Sequence, residues 1–113
     1  MNNSNDWRQE IPEYVAPLKI QPDQSEIIQF TGEEGIWKDD INAKLNIYFV
    51  VLTKVGDKRK FYVNSKNTST LGQIKAIGSL KDKFAKITRI GAGRQTKYTV
   101  LEVKGFETQT IQG

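Results

Sequence analysis

The segment AKLNIYFVVLTKVGDKRKFYVN, residues 43–64, decides the fold class of this chain. In its first part, Ala43–Lys54, apolar side chains alternate onto one face and also occupy much of the other, which predicts a strand at the centre of a sheet. Val55-Gly56-Asp57 predicts a turn, and Lys58–Asn64 predicts an antiparallel partner strand. If Phe61 and Val63 face the core, the side chains of Lys58, Lys60 and Tyr62 share the outer face.

The sequence on either side of this hairpin predicts three further strands and one helix. The five strands are predicted at Ser25–Thr31, Ala43–Lys54, Lys58–Asn64, Phe84–Ile90 and Thr96–Val103. Residues 32–40 are predicted to form a charged loop that carries Ile36 and Trp37. Thr70-x-x-Gln73 fits a capping box, and apolar residues follow at three-residue spacing up to Leu80, which predicts a short amphipathic helix.

The predicted elements run strand, strand, strand, helix, strand, strand. This is the order of the OB-fold, a five-stranded Greek-key barrel that binds oligonucleotides on strands two and three and on two of its loops. We therefore predict a mainly β fold, a five-stranded OB-like Greek-key barrel with one short helix between strands three and four. An SH3-like barrel or another small α+β sheet stays open as an alternative.

A single domain is expected from a chain of 113 residues. Prolines interrupt the first residues, so residues 1–16 are predicted to be an extended or flexible N-terminal arm. The barrel is assigned to residues 17–104, and the polar residues 105–113 are predicted to be a flexible C-terminal tail.

The composition argues against an enzyme, because the chain contains neither cysteine nor histidine. Thiolate chemistry is thereby excluded, and the commonest general base and metal ligand is missing. The acidic pairs Glu33-Glu34 and Asp39-Asp40 lack the spacing of a calcium-binding loop and are interpreted as solvated. We expect no catalytic activity, no cofactor and no metal site. The N-terminal sequence lacks the features of a signal peptide and no apolar run is long enough to cross a membrane, so a cytoplasmic location is expected.

Charge is distributed unevenly along the chain. Residues 1–53 carry four basic and nine acidic side chains, a net charge of −5, whereas residues 54–104 carry thirteen basic and three acidic ones, a net charge of +10. A positive field concentrated in half of a small domain attracts polyanions, and nucleic acids are the abundant intracellular ones. The alternative is that the charge serves only solubility.

Aromatic residues are interleaved with these cations, a mixture that single-strand binders need because rings stack on bases while Lys and Arg follow phosphates. The candidate stacking residues are Trp37, Tyr48 and Tyr62. For Tyr48, burial in the core is an equally good interpretation, since its strand is covered on both sides. The candidate phosphate contacts are Lys58, Lys60, Arg89, Arg94 and Lys97, the last three of which flank the Gly91-Ala92-Gly93 turn.

The turn itself is not a phosphate cradle, because a P-loop or dinucleotide fingerprint needs a further glycine and a following helix. Its surroundings, I-T-R-x-G-x-G-x-x-T-K-Y-T-V from Ile87 to Val100, resemble a family of single-stranded-DNA-binding proteins from phages, viruses and mobile elements. The resemblance extends from residue 17 to residue 104. It implies an OB-like barrel that coats single strands during replication or recombination.

The predicted function is therefore sequence-tolerant binding of single-stranded DNA, which protects or presents single strands in DNA replication or recombination. RNA or duplex DNA as the preferred ligand stays open, and so does self-association into a homo-oligomer. A protein-interaction module, such as a small viral-type inhibitor whose basic face docks on an acidic partner, is the alternative from another functional class.

Overall fold

The computed structural model describes residues 15–38, 44–93 and 96–106. These ranges contain five strands and one helix in the predicted order: β1 (Ser25–Lys38), β2 (Leu45–Leu52), β3 (Lys58–Asn64), α1 (Thr68–Ile77), β4 (Phe84–Ile90) and β5 (Lys97–Val103). The mainly β class is thereby confirmed. Arg94, residues 1–14 of the predicted arm and residues 107–113 of the predicted tail lie outside the described residues.

All five strands belong to one antiparallel sheet of order β3-β2-β1-β4-β5. Strand β1 is shared between two partners, since residues 25–29 pair with β4, whereas residues 29–30 and 34–38 pair with β2. The register with β2 shifts between Phe30 and Glu34, and Gly32 within this interval adopts a positive φ of 94°. An irregularity of this kind bends a strand, which lets one strand belong to both halves of a curved sheet.

The predicted loop at residues 32–40 is wrong as far as Lys38, because residues 32–38 continue β1. Two glycines and two glutamates gave this stretch the composition of a turn. The strand nevertheless forms because its second half gains a complete ladder with β2, including the pairs Gly35–Tyr48 and Trp37–Asn46. Residues 39 and 40 lie outside the described ranges.

The hydrophobic core lies on one face of the sheet. Its central side chains are at most 2% exposed and come from four strands: Ile28, Phe30, Val51, Phe61, Val63, Ala85 and Ile87. Burying one such aliphatic or aromatic side chain stabilises the fold by about 1.5–3 kcal/mol. Phe61 and Val63 face the core, which is the condition under which Lys58, Lys60 and Tyr62 share the outer face.

The helix begins earlier than its sequence pattern indicates. The side chain of Asn67, and not that of Thr70, forms the N-cap by accepting a hydrogen bond from the Thr70 amide. Thr70 is 1% exposed, and its hydroxyl donates to the carbonyl of Tyr98 at 3.1 Å. The capping box predicted at Thr70 is therefore wrong, because tertiary contact with β5 uses the side chains that would have formed it.

Both outer strands of the sheet are bonded to other parts of the chain. On β3, the Lys60 amide donates to Ala16 O at 2.9 Å and its carbonyl accepts from the Leu18 amide at 2.8 Å. On β5, the carboxamide of Gln73 accepts from the Val100 amide at 2.6 Å and donates to Tyr98 O. Among the described strand pairs there is accordingly no ladder that joins β3 to β5, although the Phe61 and Tyr98 rings meet at 5.3 Å.

Candidate functional site

Three aromatic side chains meet on the outer face of the sheet, opposite the core. The ring centroid of Tyr62 lies 6.1 Å from that of Trp37 and 6.0 Å from that of Tyr48. Tyr48 and Tyr62 are directly paired across β2 and β3, and paired residues of an antiparallel ladder project to the same side. We call Trp37, Tyr48 and Tyr62, together with the adjacent Lys60, the aromatic face.

The rings of the aromatic face are only partly covered by protein. Trp37 is 50% exposed and Tyr62 is 37% exposed, whereas the core side chains of the same strands are nearly inaccessible. Burial in the core therefore does not explain why these two positions are aromatic. Exposed rings that lie next to each other mark a surface that can bind a ligand. Tyr48 is half-buried. Its exposure is therefore intermediate between that of a core residue and that of an exposed stacking ring, the two interpretations that the sequence left open.

Tyr48 is half-buried because its ring lies over the backbone of Gly35, its partner in the ladder. A β-carbon at position 35 would come within 2.8 Å of Cε2 of that ring, closer than real contacts allow. Gly35 thus determines where Tyr48 lies. The sequence does not indicate this role, because a glycine on which a ring of the next strand packs has the same local sequence pattern as a glycine in a turn.

A lysine adds positive charge to the aromatic face. The Lys60 ammonium nitrogen lies 4.5 Å from the centroid of the Tyr48 ring, within the range of a cation–π contact. Lys58 projects to the same side of β3, two residues before Lys60, and is exposed. The structure therefore brings together four of the predicted site residues, Trp37, Tyr48, Lys60 and Tyr62, with Lys58 beside them.

An apolar groove of about 420 Å³ lies at one end of the aromatic face, lined by Val15, Pro17, Trp37, Asn46 and Tyr62. The sequence places Val15 in an extended or flexible arm, and no local pattern marks Pro17 or Asn46 as site residues. Pro17 reaches the groove because the chain on either side of it bonds to the edge of β3. A local sequence pattern carries no signal for such a long-range pairing.

The side chain of Arg89 contacts the segment that precedes β1. Its guanidinium donates to Ile20 O at 2.9 Å, and its backbone bonds with Asp23 and Gln24. Nε of Arg89 is buried and has no hydrogen-bond partner among the described residues. These contacts tie β4 to the segment that precedes β1.

Lys97, by contrast, is exposed where β5 begins. In the described part of the chain, neither Arg89 nor Lys97 has a hydrogen bond, ion pair or ring contact with the aromatic face. Arg94 lies outside the described ranges. Within the described ranges, direct contacts therefore do not join Arg89 or Lys97 to the aromatic face.

A second groove of about 580 Å³ separates α1 from the bent part of β1 and from β2. Its lining includes the apolar residues Ile47, Phe49 and Ile74 and the charged residues Glu34, Lys75 and Lys81. None of the predicted site residues that the structure describes lines this groove. The aromatic face is therefore the better candidate for the predicted activity.

Two further features of the described ranges bear on the predicted classes of function. Across residues 15–38, 44–93 and 96–106, no three Asp, Glu, His or Cys side chains are grouped so that they could hold a metal ion. The helix α1 has ten residues, and no described helix reaches the length and hydrophobicity needed to span a bilayer.

The chain was also compared with known proteins. No protein-family model matches it, and neither a curated protein nor a solved structure matches it. The assignment of a function therefore rests on the residues and the geometry described above.

Proposed function

We propose that this protein binds single-stranded DNA with little sequence preference and so protects or presents single strands in DNA replication or recombination. The observation that carries the proposal is the aromatic face, where the ring of Tyr62 lies about 6 Å from those of Trp37 and Tyr48, with Lys60 beside them on the side of the sheet away from the core. Stacking of one base on an aromatic ring contributes about 1–3 kcal/mol and is available from every base.

The architecture supports the proposal through the order of its elements. Five strands with α1 between β3 and β4 agree with the order of an OB-like barrel. In OB-folds the ligand lies across strands two and three. Tyr48 and Tyr62 occupy the corresponding two strands here.

Electrostatics supports the proposal from a second direction. The net charge of +10 over residues 54–104 belongs to the part of the chain that supplies β3, α1, β4 and β5. Lys58 and Lys60 would contact phosphates next to the stacked bases, and the hairpin cations Arg94 and Lys97 would extend this contact along the strand. We do not include Arg89 among these phosphate contacts, because its guanidinium donates a hydrogen bond to Ile20 O.

The direct test is a fluorescence titration with oligo-dT. The chain has two tryptophans, so a Trp7→Phe variant isolates the signal of Trp37. We expect quenching of Trp37 on binding, and an affinity that falls as salt rises, with a log–log slope of about −0.7 per phosphate contacted. Unchanged fluorescence together with no complex in a gel-shift assay at low salt would refute the proposal.

Competition distinguishes single-stranded DNA from the related ligands. Labelled oligo-dT bound to the protein is challenged with unlabelled single-stranded DNA, RNA of the same sequence, and duplex DNA. We expect single-stranded DNA to displace the probe at the lowest concentration and duplex DNA at the highest, because paired bases do not expose their faces for stacking. Displacement by RNA at lower concentrations than DNA would reassign the ligand to RNA.

A further inference from the structure

We propose that this protein forms a symmetric dimer in which residues 34–38 of β1 pair with the same residues of a second copy, antiparallel and centred on Ile36. The dimer goes beyond the proposed function and does not depend on it. Its interface is one edge of the sheet, and its two strands meet in one register.

The second half of β1 has one open edge. On one side residues 34–38 pair with β2, but on the other side β4 pairs with β1 only over residues 25–29. Beyond that ladder, the backbone of Phe30 still bonds to Lys83 and Asp82. Among the described residues, no backbone group bonds to residues 34–38 on the β4 side. An edge with unpaired N–H and C=O groups is a template for a further strand.

Ile36 lies at the middle of this edge, and burial in the core does not explain it. The residue is 68% exposed, whereas its ladder partner Ile47 is half-buried. In a dimer centred on Ile36, the two isoleucines lie directly opposite each other. Apolar side chains in that position shield each other from water and stabilise the pair of strands.

The charges on either side of Ile36 determine the register. Glu34, Ile36 and Lys38 project to the same side of β1, because alternate residues of a strand do so. With Ile36 at the two-fold axis, Glu34 of one copy lies opposite Lys38 of the other, and symmetry repeats this pair. Opposite charges at paired positions stabilise antiparallel strands. A parallel pairing in register places like charges opposite each other, and a shift by two residues places a charge opposite Ile36.

Both charged residues are available for this contact. Glu34 and Lys38 are exposed, and the ion pairs of the described residues involve neither of them. Five residues from each copy are fewer than the 20–30 a side of most stable interfaces, so we expect a weak dimer with a Kd on the order of 10 μM.

The dimer has a consequence for the aromatic face. Paired residues of antiparallel strands project to the same side of a sheet. Trp37 of one copy therefore lies on the same side as Trp37 of the other, and the two aromatic faces belong to one continuous sheet. A single DNA strand can then cross both.

The experiment reverses the two charges and measures self-association by sedimentation equilibrium at low salt, without DNA. Glu34→Lys and Lys38→Glu each place like charges opposite each other twice, so each should raise the dimer Kd on the order of tenfold. An equimolar mixture of the two variants should restore the affinity, because opposite charges face each other again in the mixed dimer. The double variant should restore it for the same reason. Lys86→Glu, on the exposed side of β4, is the control and should leave the Kd unchanged.

A cysteine variant tests the position of the two-fold axis. The chain has no cysteine, so Ile36→Cys introduces a single thiol that lies opposite its copy in the dimer. A short bismaleimide should crosslink this variant rapidly. Val55→Cys, in the turn between β2 and β3 where Val55 is 80% exposed, should crosslink slowly. Equal rates for the two variants would contradict the proposed axis.

The other outcomes are equally decisive. Monomers alone at concentrations well above the expected Kd would refute the dimer. Self-association that the mixture of folded variants fails to restore would show that another surface is used, and would refute this interface. Circular dichroism establishes that each variant is folded. The oligo-dT titration reports on the proposed function separately, since either the dimer or DNA binding can fail while the other stands.

Discussion

The ring of Tyr48 lies against the backbone of Gly35 across the β1–β2 ladder, at a distance that leaves no room for a β-carbon. This contact fixes the position of the central ring of the aromatic face, since Tyr48 touches Tyr62 on one side and Lys60 on another. Gly35, which has no side chain, thereby determines the shape of the aromatic face, which is made of large side chains.

Replacing this glycine should disturb both stability and binding. We expect Gly35→Ala to destabilise the fold by about 1–3 kcal/mol, because the added methyl group forces Tyr48 or the backbone to move. Binding of oligo-dT to the folded variant should weaken as well. Urea denaturation and fluorescence titration measure the two effects.

Gly72→Ala is the matched control for that change. A β-carbon at position 72 meets nothing within 4 Å, and the residue lies inside α1. Alanine in a helix is more stable than glycine by about 0.5–1 kcal/mol. A Gly35→Ala variant that gained stability as Gly72→Ala should do would contradict the packing of Tyr48 on Gly35.

Gln73 is expected to be important for stability because its carboxamide pairs with the edge of β5 in the way a neighbouring strand would. Gln73→Ala leaves the Val100 amide and the Tyr98 carbonyl without this partner, which should cost about 1–3 kcal/mol in urea denaturation. Lys75→Ala, on the exposed side of the same helix, should change stability by less than about 0.5 kcal/mol. Equal effects of the two substitutions would show that Gln73 does not secure the edge.

Tyr62 and Lys60 should contribute to binding in different ways. Tyr62→Ala removes a stacking ring and should weaken oligo-dT binding by about 1–3 kcal/mol at every salt concentration. Lys60→Ala should instead reduce the salt dependence, by about one phosphate contact. Titrations at several salt concentrations separate the two. Lys86→Ala, on the outer face of β4, serves as a control and should leave both quantities unchanged.

Substitutions of Arg89 and of Lys97 should have different effects on stability and on binding, although both residues flank the same turn. Arg89→Ala removes the hydrogen bond to Ile20 O and should lower the free energy of unfolding by about 1–3 kcal/mol. The affinity of the folded variant for oligo-dT should stay close to that of the wild type. Lys97→Ala should have the reverse effect, with unchanged stability and a smaller salt slope. Loss of affinity in a fully stable Arg89→Ala variant would restore Arg89 as a phosphate contact.

Where strand and helix predictions succeeded, the local pattern was unambiguous. The bounds of β3 and β4 were predicted as the structure has them, because alternating apolar residues are bounded there by Gly, Asp and Asn turn signals. The second half of β1 was missed since its glycines and glutamates have the composition of a turn. Its strand conformation comes from pairing with β2, which lies farther along the chain.

The candidate site likewise contains residues that the sequence predicts and residues that it does not. Trp37, Tyr48, Lys60 and Tyr62 could be named from residue type and strand alternation, but their assembly into one face depends on the register of three strands. Gly35, Asn46 and Pro17 could not be named, because their roles arise from neighbours that are distant in sequence. Arg89 illustrates the converse case, a residue that the sequence names for one role and the structure shows in another contact. Its position beside a basic turn predicts a phosphate contact, but the same guanidinium also donates to the carbonyl of Ile20, which precedes β1.

The sequence by itself determined the order of the elements, the inward face of β3 and the positive charge of the second half of the chain. These properties follow from residue type and from a period of two or about three and a half residues, which act locally. Only the tertiary structure decided that β1 bends to serve two partners, that Gln73 closes the edge of β5, and that a glycine under Tyr48 and an asparagine beside Trp37 shape the outer face. Those features depend on strand register and on long-range hydrogen bonds, which form between segments whose separate patterns do not specify each other.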